Sequence, residues 1–307
     1  MAHVDADDDV GAAVLAALRA IADRLDEIEP AALADEADAV HRLRTTVRRL
    51  RSVLVVYRPL LEASSVDEVR RRYRTLGRRL GSVRDVEVRL LVAEEALQDA
   101  ASSGFFDPVV LVRVTAGIVA ETTESHQLAL RRFVQHERLP GAARRRAALD
   151  DLLAQPFGTR REAAARPPLP PLSPLLAREA RRTATCASGV DASSAPARLH
   201  AMRKAARRLR YAAEALAEGT GVNLGGSAQR LAAAGERIQD VLGDHRDQLL
   251  FAEYLRRAAS VAARPDEERS VLQGLAVAAE RRAAQRVADL EPAVRELRGA
   301  ERGRLAL

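Results

Sequence analysis

The chain has one cysteine, Cys186, no tryptophan and two methionines, and aromatic residues fill only 3% of its 307 positions. A single cysteine excludes an intrachain disulfide framework and a cysteine-built zinc cluster. The scarcity of aromatics leaves a core of Leu, Val and Ala. Such a core suits helix packing better than sheets, which favour β-branched and aromatic residues. No run of about 18 apolar residues occurs, so the sequence predicts no membrane-spanning helix. The N-terminal MAHVDADDDV is acidic and lacks the basic-then-apolar order of a signal peptide. These features predict a cytoplasmic protein without membrane contact. Lysine is nearly missing as well, Lys204 being the only one.

What is present is arginine. The net charge is +6, and the pI is near 10.3 because almost every base is a guanidinium. Arginine stays charged and offers a planar fork that fits phosphate oxygens in pairs. Its distribution is uneven. Residues 1–40 carry two arginines against eleven acids, a net charge of −9; residues 41–85 carry thirteen arginines against four acids, a net charge of +9. Charge segregated in this way points to a directed field and an anionic partner.

The basic stretch centres on HRLRTTVRRLR, His41 to Arg51. In a helix, with about 100° between residues, His41, Arg44, Arg48 and Arg51 share one arc, and Leu43, Val47, Leu50 and Leu54 form the apolar stripe beside it. The same layout recurs at HAMRKAARRLR, where His200, Arg203, Arg207 and Arg210 take identical offsets and Met202, Ala206 and Leu209 repeat the stripe. Packing explains the apolar repeat. It does not explain a repeated histidine and three arginines. A second pair of matching segments follows, LGSVRD at Leu80 and LGDHRD at Leu242, and a further stripe, Arg71, Arg74 and Arg78, precedes the first of them.

Apolar spacing and the placement of proline and glycine predict an all-α chain. The expected helices run from about 10 to 28, ended by Pro30; from 32 to 58; from 64 to 101, capped by Ser64 or Ser65; from 107 to 136; and from 142 to 154. The second half repeats this order at about 173–187, 195–218 and 227–262, with a last helix from Pro265 to about Arg298. The predicted organisation is a disordered acidic tail at 1–9, a first bundle at 10–155, a proline-rich linker at 156–172 and a second bundle at 173–300.

The four quoted motifs, with LHAMRKAARRLRY at Leu199 and IQDVLGDHRD at Ile238, resemble the CHAD family, the conserved histidine α-helical domain. The resemblance covers about residues 10–300. It implies two pseudo-symmetric four-helix bundles whose basic helices line a shared central surface, and binding of inorganic polyphosphate there. Many relatives carry a fused triphosphatase with an ExExK motif; the sequence has no ExExK, so that activity is not expected.

The residues expected to contact polyphosphate are His41, Arg44, Arg48, Arg51, Arg74, Arg78 and Arg84 in the first half, with His200, Arg203, Lys204, Arg207, Arg210 and Arg246 in the second. Glu236, Asp240 and Asp244 dilute the second half's field. The chemistry is consistent: a polyanion without bases offers only phosphate oxygens, whereas single-stranded nucleic acid sites add aromatic platforms. A nucleic-acid-binding helical protein is the alternative. A further alternative uses His41 and His200 as phosphoacceptors or metal ligands, although arginines stand where a second ligand would be. The expectation is a non-catalytic module that needs no cofactor or metal, binds polyphosphate or other polyanions, and associates with polyphosphate granules in the cytoplasm.

Overall fold

The structure, a computed structural model, describes residues 6–155, 172–190, 194–219 and 225–302. It is all-α, with no strand among the described residues. The helices are α1 (Ala6–Leu33), α2 (Ala39–Val56), α3 (Ala63–Ser103), α4 (Pro108–Glu137), α5 (Pro140–Ala154), α6 (Leu172–Cys186), α7 (Pro196–Gly219), α8 (Gly225–Ala259), α9 (Asp266–Ala288) and α10 (Leu290–Arg302). A single 3-10 turn, Arg58–Leu60, follows α2 where Pro59 stops it. No described helix is long and apolar enough to cross a membrane.

Several expected boundaries move, each for a local reason. Helix α1 begins at Ala6, inside the stretch expected to be a tail, and it runs through Pro30 to Leu33. Proline's fixed φ is helical, and only the bond back to Asp26 is lost, so one further turn of Ala31, Ala32 and Leu33 is tolerated. Helix α2 therefore starts later than expected, after Asp35 and Asp38 take left-handed φ values of 58° in the connection. The cap of α3 is Glu62 rather than a serine: its carboxylate accepts from the Ser64 and Ser65 main-chain N–H groups at 2.9 and 2.6 Å. The Ser64 hydroxyl, which donates to the same carboxylate at 2.6 Å, and then those main-chain bonds pull its carboxyl pKa down to about 2. The expected last helix is two helices. Pro292 cannot bond to the Ala288 carbonyl and its ring would strike it, so the chain breaks at Asp289 and Pro292 sits in the first turn of α10. The expected linker, 156–172, lies outside the described residues apart from Leu172.

Two apolar cores hold the fold, and neither belongs to one half of the sequence. The larger joins Leu18, Leu43, Leu50 and Leu80 from the first half to Met202, Leu209, Leu231 and Leu297 from the second. The smaller joins Ala93, Leu97 and Val114 to Phe251, Leu255, Leu272 and Leu275. Helices α3 and α8, of 41 and 35 residues, extend about 60 and 50 Å and pass through both. Helices α2 and α7 pack against each other in the larger core, which brings the two basic motifs to one place.

Candidate anion-binding site

The apolar stripe of each motif helix is buried as its spacing requires: Leu43, Val47 and Leu50 on α2, Met202, Ala206 and Leu209 on α7. That burial fixes the rotation of each helix and turns its basic arc towards the other. The result is one cluster, in which Arg44, Arg48 and Arg51 from α2 face Arg203 and Arg207 from α7 closely enough to depress one another's basicity. Desolvation is the largest cause throughout. It pulls the Arg48 guanidinium down to about 9, with Arg44, Arg207 and Arg203 adding to the effect. Arg207 falls to about 10. Both remain charged at neutral pH, held against their neighbours' repulsion.

Among the described residues, Arg48, Arg51, Arg203 and Arg207 have no ion-pair partner, whereas Arg24, Arg58, Arg208, Arg282 and many other arginines pair with carboxylates. The Nε–H groups of Arg44, Arg203 and Arg207 are buried without a hydrogen bond. Arg44 reaches Asp85 at 3.4 Å.

The histidines lie on the rim. Burial, then Arg84, lowers the pKa of His41, with Arg48 and Arg44 adding to this and Asp38 opposing it. Burial, then Lys204, Arg246, Arg203 and Arg207, lowers that of His200. Both are thus biased to the neutral form. Arg84 itself bonds Glu87 at 3.0 Å. Arg74 and Arg78 stand on α3 beside Arg51 and carry the positive surface outward from the cluster. Arg71, from the same stripe, pairs with Glu68.

Arg210 is placed differently from its sequence counterpart. Arg51 is free of carboxylates, but Arg210 bonds Glu214 at 2.6 Å and Glu236 at 2.7 Å, and its basicity is raised despite burial. Its charge is already neutralised, and it borders the cluster as part of an acidic flank with Asp240 and Asp244.

Four residues that contribute to the site escape a reading of charge alone. Gly81 and Gly243 occupy the places where Arg44 and Arg203 cross the backbones of α3 and α8; a Cβ would stand 3.8 Å from Arg44 Nη2 and 3.3 Å from Arg203 Nη2. Asp85 and Asp247 face these two arginines, and burial pushes the Asp247 carboxyl above its usual range. The signal was in the sequence: LGSVRD and LGDHRD share Gly and Asp as well as Leu and Arg. The tyrosines offer no stacking platform. Tyr57, Tyr73, Tyr211 and Tyr254 are all buried.

A protein-family model described as the CHAD domain matches residues 16–256. An uncharacterized protein of Mycobacterium tuberculosis, in sequences from two strains, is 29% identical over 284 residues, which is 91% of this chain and 52% of the relative. The chain thus spans about half the length of the curated relatives it matches. Among solved structures, PptA from Streptomyces chartreusis is similar with a TM-score of 0.70 and 20% identity, over 95% of this chain and 98% of that one. The CHAD domain from the plant Ricinus communis is similar with a TM-score of 0.65 and 21% identity, over 94% and 91% of the two chains. At these identities the likeness to solved structures is one of fold.

Proposed function

Since the chain belongs to the CHAD domain family, we propose that it binds inorganic polyphosphate, without catalysis, on the surface built by α2, α7 and the adjoining face of α3. The observation that carries this reading is the cluster of Arg48, Arg51 and Arg207, desolvated, facing other arginines and without a carboxylate partner among the described residues, with Arg203 beside them balanced in part by Asp247. Guanidinium forks match phosphate oxygens, and each charge-assisted bond relieves repulsion already present in the free protein. The burial of all four tyrosines favours a polyanion without bases over single-stranded nucleic acid. A protein with this surface would be retained on polyphosphate granules.

The test is a salt titration of long-chain polyphosphate binding, with single-stranded RNA of equal charge as competitor. Affinity is expected to fall steeply and log-linearly with salt as counterion release is suppressed. RNA should compete weakly. An affinity that stays flat between low and physiological salt, or RNA that displaces polyphosphate at equal charge, contradicts the reading.

A further inference from the structure

The two flanks of the arginine cluster have opposite sign. Towards α8, Arg210 is taken up by Glu214 and Glu236, and Asp240 and Asp244 follow. Towards α3, Arg51 is met by Arg70, Arg74 and Arg78. From Arg74 to Ser82 the α3 sequence contains no carboxylate. A polyanion leaving the cluster is repelled on one side and drawn along on the other.

The α3 side leads to a second cationic place. At about 100° per residue, Ser82 lies about 40° further round α3 than Arg78, and Arg79 about 100° further, on the arc that turns to α4. Between α3 and α4 is a cleft of about 440 Å3. Its polar lining is Arg79, Ser82 and Arg89 from α3 with Ser125, Arg132 and His136 from α4, over a floor of Val86, Ala129 and Phe133. No carboxylate lines it. The nearby Glu137 is turned inward and bonded by Arg145 and Arg79. Arg89 is held over the Tyr254 ring, 4.5 Å from its centroid. Among the described residues, Arg132 and His136 make no side-chain hydrogen bond or ion pair, and both are exposed.

We infer that the α3–α4 cleft is a second station for the same ligand: a long polyphosphate leaves the central cluster over Arg74 and Arg78, crosses the α3 ridge at Ser82, and sets further phosphates against Arg79, Arg132 and His136. The inference rests on the polyphosphate reading above and adds to it a direction and a dependence on chain length. An α-helix with its side chains is about 10 Å across, so a tripolyphosphate is too short to occupy the cluster and the cleft together.

The experiment compares tripolyphosphate and long-chain polyphosphate binding to the full chain and to the double variant Arg132→Gln, His136→Gln. Both positions are exposed, so the fold is retained, and Arg131→Gln on the same helix but outside the cleft controls for general loss of charge. The expected result is unchanged tripolyphosphate affinity, long-chain affinity about tenfold weaker, and a shallower salt dependence for the long chain only. Unchanged long-chain affinity overturns the inference, as does an equal loss for both ligands or an equal loss in Arg131→Gln. Wild-type protein that binds neither ligand overturns the parent reading, and the path with it, and is distinguished by having no wild-type signal to compare.

Discussion

The phenol of Tyr57, at the end of α2, donates a hydrogen bond to the main-chain carbonyl of Ala212 in α7, 2.9 Å away and 155 residues later in the chain. Both groups are buried, and burial alone pushes the tyrosine's pKa far above its usual value. The bond ties together the two helices that present the arginines, from behind the cluster. Tyr57→Phe removes the donor and is expected to lower stability by about 1 kcal/mol in chemical denaturation, with little change in polyphosphate affinity. Unchanged stability would mean that the bond contributes nothing to the docking of α2 on α7.

The cluster predicts that arginines from both halves matter to binding. Arg48→Gln and Arg207→Gln should each weaken polyphosphate binding by about tenfold or more, as expected for a lost charge-assisted hydrogen bond of ~1.5–3 kcal/mol. Because each relieves repulsion in the free protein, neither should lower thermal stability by much. Arg210→Gln should have the smaller effect on binding, its charge being held by Glu214 and Glu236. Wild-type affinity in Arg207→Gln would confine the site to α2 and α3.

Three glycines give predictions of different sign. In a helix interior alanine is favoured over glycine by about 1 kcal/mol. Gly81→Ala meets only ordinary contact at 3.8 Å and should stabilise the protein without loss of binding. Gly243→Ala sets a Cβ 3.3 Å from Arg203 Nη2 and should displace that guanidinium, lowering affinity while stability holds or rises. Gly235→Ala sets a Cβ 2.9 Å from the Ala206 carbonyl oxygen, where α7 and α8 are in backbone contact, and should destabilise. Thermal melts and binding curves on the three variants check all of these outcomes together.

The histidines should couple binding to pH. In the free protein, burial and neighbouring cations depress both pKa values below the usual value for histidine. A bound polyanion favours the charged imidazolium and raises them. The bound state then holds more protons than the free state, so affinity rises as pH falls through the region of 6.5, and protons are taken up on binding. The double variant His41→Gln, His200→Gln should lose most of this dependence while keeping its melting temperature. A variant that melts several degrees lower and keeps the pH profile would show the histidines to be packing residues.

A buried ion network gives the largest expected stability change. Arg145 bonds Glu137 at 2.6 Å and Glu29 at 3.0 Å, tying α5 to α4 and α1 with almost no solvent access. Arg145→Met leaves two buried carboxylates short of a partner and should cost about 3–5 kcal/mol. Urea denaturation measures it, and a cost below 1 kcal/mol would mean that the network relaxes to water.

The sequence made some of this legible and hid the rest for physical reasons. The stripes of Leu43, Val47 and Leu50, and of Met202, Ala206 and Leu209, were readable because helix period and burial are local. So were the stop at Pro59 and the start at Asp107–Pro108. The break at Asp289 was readable in principle, since Pro292 acts four residues upstream. The sharing of both cores between the halves was not, because an apolar stripe records that a face is covered and not by which helix. For the same reason Arg210 looked equivalent to Arg51: helical offsets fix the arc on which a guanidinium lies, but Glu236 reaches Arg210 from another helix.

The division of both cores between the two halves has a consequence for synthesis on the ribosome. When the first 155 residues have emerged, the faces of α2 and α3 that are later covered by α7 and α8 are still open to solvent, among them Leu50, Leu54 and Ala93. The smaller core is incomplete until α9 has been made, and the larger until α10 supplies Leu297. A nascent chain of this design spends much of its translation with uncovered apolar surface. Its dense arginines in that interval form a cationic face that anions can reach before the fold is complete.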